Sequence, residues 1–167
     1  MLSAAGDDDT PVERGVLAPD LKIVFVAFEP GPADIRLRHH HARRNNQFWR
    51  LLAQSGLTPR RLEPKEDERL PDFGLGLLSV VPRGSGPAGR RLTELVRRCP
   101  PRVLAFTGKG VYLAASGEKD AAWGPQAEGI FEGVADFVLP SPSGKARMTF
   151  AAKLHYYAEL AAAVDRS

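Results

Sequence analysis

The stretch LKIVFVAFEPGP, residues 21–32, decides the fold of this chain. Its apolar part, Leu21 to Phe28, is almost continuous rather than alternating, which is typical of a strand buried on both faces of a parallel sheet. The strand runs directly into the carboxylate of Glu29 and the rigid segment Pro30-Gly31-Pro32. An acid in this position either caps a turn or lies above a pocket, and these residues alone leave both possibilities open.

Apolar segments and amphipathic segments alternate along the rest of the chain. We predict further strands at Gly74 to Val81, Val103 to Phe106 and Asp136 to Leu139, and helices after Asn45-Asn46, at Pro64 to Leu70, Arg90 to Cys99, Lys109 to Ser116 and Thr149 to Val164. Gly31 to Arg44 and Pro82 to Gly89 are predicted to be loops. The alternation predicts an α/β fold with three layers, α/β/α, around a central sheet of four parallel strands. We expect the strand order 2-1-3-4.

Length and composition indicate one globular domain. We expect residues 1–15, with Gly6 and three aspartates, to form a disordered acidic tail, and residues 16–167 to form a single domain. The longest apolar run has six residues, so we expect no membrane span. No secretion signal is visible. The single cysteine, Cys99, excludes a disulfide framework, an iron–sulfur cluster and a cysteine zinc site. We therefore expect a cytoplasmic protein.

The positive charge is concentrated in one segment. The formal net charge is +3, but residues 1–20 carry −4, which leaves +7 for the remainder. Between Arg36 and Arg61 there are seven arginines, three histidines and no acid. Arginine recognises phosphate through a planar, permanently charged fork, so this segment predicts a face that binds nucleic acid. The alternative is an arginine-rich surface that only contacts solvent.

Three other segments carry groups of chemical interest. The loop Ser141 to Arg147 offers hydroxyls, backbone N–H groups and two cations that suit a phosphate. The sequence TGKG, Thr107 to Gly110, lies between a strand and a helix but lacks the full nucleotide-triphosphate pattern. His39-His40-His41 lack the spaced partners of a usual metal site. We expect no metal and no cofactor.

Taken together, these segments resemble a known family. LKIVFVAFEPG, HHHARRNNQFWRLLAQSGLTPRRL, GLGLLSVVPR, PRVLAFTGKGVYLAA, WGPQ and FVLPSPSGKAR follow one another as in the mismatch-specific uracil/thymine-DNA glycosylase branch of the uracil-DNA glycosylase superfamily. The resemblance runs from about Val16 to Val164. It implies a monomeric, nucleoid-associated, monofunctional glycosylase of base-excision repair. Its partner would be DNA containing a damaged or mismatched base, foremost uracil, which it would release to leave an abasic site.

The first family motif, Gly-Ile-Asn-Pro-Gly, reads Ala27-Phe28-Glu29-Pro30-Gly31 here. The resemblance implies that Glu29 replaces the asparagine that holds the attacking water. Phe28 and Gly31 would contact the extruded base. His41 stands where the family has a phenylalanine stacked on that base, and Ser79 stands where some relatives have an acid.

The second family motif, Asn-Pro-Ser-Gly-Leu-x-Arg, reads Ser141-Pro142-Ser143-Gly144-Lys145-Ala146-Arg147. It implies that Lys145 is the wedge that fills the space left in the duplex. The other expected contacts to DNA are Ser141, Ser143, Gly144, Arg147, Arg43, Arg44 and Lys109. The motifs bring only one carboxylate to the pocket, Glu29, and no lysine that would attack the sugar, so simple hydrolysis is expected.

Three alternative functions remain open from the sequence. The substitutions at Glu29 and His41 also fit a glycosylase for the deaminated purines hypoxanthine or xanthine. The loss of the asparagine also fits a damage-binding protein with little turnover. A phosphate-binding α/β enzyme that uses Thr107 to Gly110 is the third. Since histidine titrates near neutrality, we further expect a cationic His41 to favour release of uracil as the pH falls from 8 to 6.

Overall fold

The computed structural model describes residues 10–83 and 89–165. In chain order the elements are α1 (Pro11–Arg14), β1 (Ile23–Phe28), α2 (Pro32–Leu37), α3 (Phe48–Gln54), a 3₁₀ helix (Pro64–Phe73), β2 (Leu75–Val81), α4 (Arg90–Arg98), β3 (Val103–Phe106), α5 (Lys109–Ser116), β4 (Gly124–Pro125), β5 (Ala135–Val138) and α6 (Phe150–Asp165). None of the helices in these ranges combines the length and the apolar character that a membrane crossing requires.

The described residues form one mostly parallel sheet in the order β2-β1-β3-β5-β4. Strand β1 pairs in parallel with β2 and β3, and β3 pairs in parallel with β5. The predicted order of four parallel strands is confirmed, with β5 as the fourth. The fifth strand, β4, was not predicted: its two residues pair antiparallel with β5 and are too few to show a periodic pattern.

Helices cover both faces of the sheet because β1 is apolar on both sides. Ile23 and Phe25 belong to a core cluster with residues of α3, α6 and the 3₁₀ helix. Val24 and Val26 belong to a second cluster with residues of α4 and α5. The predicted three-layer α/β/α architecture is therefore confirmed. The carboxyl ends of β1, β3 and β5 meet at one edge of the sheet, which is where ligands bind in such folds.

The predicted boundary of the amino-terminal tail, residues 1–15, extends too far along the chain, because residues 10–15 are ordered. Thr10 caps a short helix, α1: its backbone N–H and its hydroxyl both donate to Glu13 Oε1, at 3.2 and 2.9 Å. Val12 in this helix is buried. Val16 then forms an isolated antiparallel bridge with Leu77 of β2. Residues 1–9 and most of the predicted loop Pro82 to Gly89 lie outside the described residues.

A second difference is helix α2, which lies in the segment predicted to be an irregular loop. Pro32 occupies the first helical position, where its fixed φ favours a helix. Asp34 Oδ2 accepts a hydrogen bond from the backbone N–H of Gly31 at 3.0 Å, which satisfies one of the amides at the helix start. The basic character of the segment hid these two signals.

Candidate active site

A cavity of about 710 Å³, here called the main cavity, opens at the carboxyl ends of β1, β3 and β5. Nine of the residues singled out in the sequence line it: Phe28, Glu29, His41, Arg43, Ser79, Lys109, Ser141, Ser143 and Arg147. Four others do not: Gly31, Arg44, Gly144 and Lys145. The structure thus brings both sequence motifs to one cavity, although they are more than 100 positions apart in the chain.

Glu29 lies at the end of β1, directly after a register shift between Ala27 and Phe28. Its backbone N–H donates to the carbonyl of Val81 at 2.9 Å, so this amide is not available to a ligand. Its side chain is exposed and has no hydrogen-bond or ion-pair partner within residues 10–83 and 89–165. Glu29 therefore lies over a pocket and does not cap a turn.

Asp34 is a second carboxylate in the main cavity, which the motifs did not predict. Burial disfavours its charge, but hydrogen bonds from Arg43 Nε, at 2.7 Å, and from the Gly31 N–H outweigh burial and lower its pKa. Both carboxylate oxygens of Asp34 are engaged, in contrast to Glu29. The signal that could have revealed Asp34 is the sequence Gly31-Pro32-Ala33-Asp34, typical of a helix start.

The Gly31 prediction is not supported by its position. Its N–H is bonded to Asp34 and it does not line the main cavity.

His41 presents part of its ring to the main cavity and stacks on Phe48 with the other side. The two ring centroids are 4.1 Å apart and the planes differ by 24°. Burial, reinforced by the neighbouring His40, lowers the pKa of His41 to about 3. The expectation that His41 titrates near neutrality is therefore wrong, because burial and the neighbouring His40 disfavour the imidazolium.

The two preceding histidines hold this segment in place. Asp67, buried in the 3₁₀ helix, lies 3.0 Å from His39 Nδ1 and 3.2 Å from His40 Nδ1, and accepts the His40 backbone N–H at 3.0 Å. Burial opposes the charge of Asp67, but these hydrogen bonds lower its pKa. In the described ranges no three histidine, cysteine or acidic side chains are grouped as metal ligands would be.

The loop Ser141 to Arg147 is fixed by contacts from two helices. The backbone N–H of Gln47, just before α3, donates to the carbonyl of Pro142 at 2.8 Å. Lys153 of α6 is buried, and its Nζ donates to the carbonyl of Ser143 and to Gln47 Oε1, both at 2.8 Å. Burial lowers the pKa of Lys153. This lysine was not predicted, because an isolated lysine in an amphipathic helix normally contacts solvent.

The tip of the same loop carries the exposed Lys145. A Cβ on Gly144 would overlap the backbone oxygen of Asn45, so the loop approaches the segment before α3 too closely for a side chain there. The amides of Ser143 and Lys145 donate to the hydroxyls of Ser141 and Ser143, both at 3.2 Å. These turns present Lys145 outside the main cavity, at the position that the resemblance assigns to a wedge.

The segment Thr107 to Gly110 forms another wall of the main cavity. The Thr107 hydroxyl donates to the carbonyl of Val26 at 2.9 Å and is thereby engaged within the sheet. Lys109 Nζ lies 4.6 Å from the ring centroid of Trp123, and Arg83 lies 4.8 Å from that of Phe28. Arg83 and Trp123 were not predicted as site residues, although they lie in the segments GLGLLSVVPR and WGPQ that carry the resemblance.

Comparison with known proteins agrees with this geometry. The sequence matches the model of the uracil DNA glycosylase superfamily over residues 14–164. A solution NMR structure of a candidate uracil DNA glycosylase from Methanosarcina acetivorans covers 88% of this chain, and the match covers 95% of that chain. The TM-score is 0.58 and the sequence identity 19%, so this likeness shows the fold. The family match spans both motifs and the main cavity, and the chain therefore belongs to the uracil DNA glycosylase superfamily, whose members are N-glycosyl hydrolases.

Proposed function

We propose that this protein is a monofunctional DNA glycosylase of the mismatch-specific branch that releases uracil from DNA and leaves an abasic site. The observation that carries the proposal is the main cavity, which is lined by the first motif, the second motif and His41. A base inside a duplex is inaccessible, so the target nucleotide must be extruded into such a cavity before its glycosidic bond can be attacked.

Glu29 is the proposed general base. Cleavage of the glycosidic bond builds positive charge on the sugar and negative charge on the departing base. An ionised carboxylate beneath the sugar stabilises the first charge and takes a proton from the attacking water. The side chain of Glu29 suits this role because it lines the cavity without a protein partner, whereas both oxygens of Asp34 are occupied.

His41 is proposed to stack on the extruded base as a neutral ring. Phe48 supports its other face, so the imidazole is held flat against the cavity. Because the pKa of His41 is about 3, this contact supplies packing and a hydrogen-bonding edge without positive charge. A neutral ring accepts either a pyrimidine or a purine.

The test of the proposal is single-turnover base release from a duplex containing one uracil. Glu29→Gln keeps the size of the side chain but removes the base, so release should fall by about 100-fold or more while DNA binding persists. Glu29→Asn restores the usual residue of the family and should keep partial activity. Glu132→Gln, an exposed carboxylate outside the main cavity, is the matched control. Near wild-type release by Glu29→Gln would refute the assigned role.

A second candidate, release of deaminated purines, is favoured by the size of the main cavity. A volume of about 710 Å³ lies within the range of sites that hold whole drug-sized ligands, so it does not exclude a purine. Parallel duplexes with uracil, mismatched thymine or hypoxanthine separate the candidates. Retention of a damaged duplex without release would indicate a damage-binding protein.

The monofunctional assignment has its own test, because Lys109 lines the main cavity. A lysine that attacked the sugar would form an imine that borohydride reduces to a stable protein–DNA adduct. The ammonium of Lys109 lies against the Trp123 ring, and we expect it to act only as a cation. We expect no adduct with uracil-containing DNA. If an adduct forms with wild type but not with Lys109→Gln, Lys109 attacks the sugar and the hydrolytic mechanism is refuted.

A further inference from the structure

A second cavity, of about 430 Å³, adjoins the main cavity and is here called the basic cavity. It is lined by His41, Ala42, Arg43, Arg44, Asn46, Trp49, Arg61, Leu62, Glu63 and Pro64. His41, Arg43 and Asn46 line both cavities, so only one layer of side chains separates the two. Arg61 lies in a segment that carries the family resemblance, but it is not among the residues to which the two motifs assign a role.

The basic cavity holds positive charge that the protein does not neutralise. Arg44 and Arg61 are exposed, and neither forms an ion pair with a residue in the ranges 10–83 and 89–165. Arg43 is paired with Asp34. The single acid of the lining, Glu63, lies 3.2 Å from Lys65 Nζ. Two arginines of the lining therefore have no protein anion beside them in the described part of the chain.

The neighbouring arginines behave differently, which argues against a uniformly basic surface. Arg60 forms a two-point pair with Glu66, at 3.1 and 2.6 Å, and Arg69 also bonds Glu66 at 3.2 Å. These contacts, led by Arg60, lower the pKa of Glu66 to about 2. Arg60 lies beside Arg61 in the chain but outside the basic cavity. Arg44 and Arg61 thus differ from Arg60, which has a protein anion beside it.

The inner wall of the basic cavity is apolar and rigid. Trp49 is 3% exposed and Leu62 is 1% exposed. The indole N–H of Trp49 donates to the carbonyl of His40 at 3.2 Å, which fixes the ring. An apolar wall below exposed guanidinium groups matches a nucleotide, whose sugar packs against carbon while its phosphate receives hydrogen bonds from arginine.

We propose that the basic cavity binds a phosphodiester of the DNA strand that carries the target base, directly beside the extruded nucleotide, with Arg44 and Arg61 as its ligands. The proposal rests on the proposed function in that the ligand is DNA. Because His41 lines both cavities, a phosphate bound here would lie next to the nucleotide in the main cavity. Its binding holds the strand in register while the neighbouring nucleotide is extruded.

The first experiment compares Arg61→Gln with Arg60→Gln, which removes the same charge from a paired arginine nearby. Fluorescence anisotropy measures the affinity for a duplex with 2′-fluoro-deoxyuridine, whose glycosidic bond resists cleavage, at several salt concentrations. Arg61→Gln should weaken binding and make the slope of log K against log salt shallower by about 1. Arg60→Gln should leave the slope unchanged. Equal slopes for wild type and Arg61→Gln overturn the proposal.

The second experiment locates the phosphate. Single neutral methylphosphonate linkages are placed at successive positions around the target nucleotide, and each duplex is bound by wild type and by Arg61→Gln. The deficit of Arg61→Gln should disappear at one linkage adjacent to the target. A deficit that persists at every position overturns the proposal. A third outcome is that inorganic phosphate competes with DNA only when Arg61 is present, while no linkage abolishes the binding deficit of Arg61→Gln. The ligand of the basic cavity would then be a free anion, which also overturns the proposal.

These readouts are binding measurements, so their outcome is independent of base release. Absence of base release would contradict the proposed function while leaving the test of the basic cavity intact.

Discussion

At the scale of single residues, the sequence predicts where a side chain lies better than it predicts whether that side chain is ionised. The position of Glu29 follows from a general rule, since side chains after buried parallel strands meet at one sheet edge. The neutral state of His41 follows from its burial, which depends on packing between segments. No local pattern in HHH reports such packing.

The neutral state of His41 changes the expected pH dependence of base release. With its pKa lowered to about 3, His41 carries no charge from pH 6 to pH 8. We therefore expect wild type and His41→Phe to show parallel single-turnover profiles over this range, measured with enzyme in excess. The backbone at His41 has a positive φ of 51°, which histidine adopts more readily than phenylalanine, so we expect the overall rates of the two proteins to differ. A profile that flattens in His41→Phe would show that the imidazole titrates near neutrality.

At the scale of elements, α6 acts on the site through one buried side chain. Lys153 joins the carbonyl of Ser143 to the side chain of Gln47, so α6 and the start of α3 hold the second motif from both sides. An ammonium desolvated without a carboxylate partner is costly to the folded state. We infer that the buried ammonium of Lys153 serves to position the loop Ser141 to Arg147, in spite of its cost to the stability of the fold.

Replacement of Lys153 should therefore lower the rate of base release much more than it lowers the stability of the fold. Lys153→Met removes both hydrogen bonds but also removes a buried charge, so the free energy of unfolding should change by less than about 2 kcal/mol. Base release from duplex DNA should fall by about 10-fold or more, because the loop Ser141 to Arg147 is no longer held in position. Urea denaturation and single-turnover kinetics provide the two measurements. Lys119→Met, at an exposed lysine, is the control. Unchanged release would show that the loop keeps its position without Lys153.

Strand β5 contains a carboxylate that makes stability depend on pH. Asp136 is buried, and burial raises its pKa to about 6 although the Ile130 N–H donates to Oδ2 at 2.9 Å. Its other oxygen, Oδ1, is buried and has no hydrogen-bond partner among the residues that the structure describes. The folded protein therefore holds a proton that the unfolded chain, with a pKa near 3.9, releases earlier.

The sign of this effect follows from the raised pKa. The contribution of Asp136 is complete below about pH 4 and is lost as the pH rises through 6, by up to about 3 kcal/mol. Asp136→Asn keeps an acceptor for Ile130 but cannot ionise. Denaturant titrations at several pH values should show a weaker decline in unfolding free energy between pH 4 and pH 7 for the variant. Identical declines would mean that Asp136 is ionised throughout.

At the scale of the whole molecule, the fold joins distant parts of the chain at one charged face. The main cavity takes residues from Val12 to Met148, and the basic cavity adds arginines from the segment between α2 and the 3₁₀ helix. Four to six arginine–phosphate contacts predict a slope of log K against log salt of about −4 to −5. Affinities measured from 50 to 200 mM salt provide this slope. A slope near zero would show that these arginines only contact solvent.

The sequence predicted the architecture well because both kinds of element have strong patterns. The bounds of β3 and α5 agree with the prediction at both ends. For the other main strands and helices, most of the ends differ from the prediction by one or two residues. Helix α2 and Asp34 were missed because a capping signal in a basic segment was taken for a loop. Arg83, Trp123 and Lys153 reach the site through tertiary packing, which no single motif encodes.

The two edges of the sheet also bear on self-association. An unpaired strand edge is a template for another chain, and proteins protect such edges with short strands, proline or a covering segment. Here β5 is covered by a two-residue strand that contains Pro125. The outer edge of β2 is covered at Leu77 by Val16, whose N–H and carbonyl both bond Leu77, at 2.8 and 2.9 Å. A chain shortened past Val16 would lose this cover at Leu77 of a buried, apolar strand, and we expect edge-to-edge aggregation as the consequence.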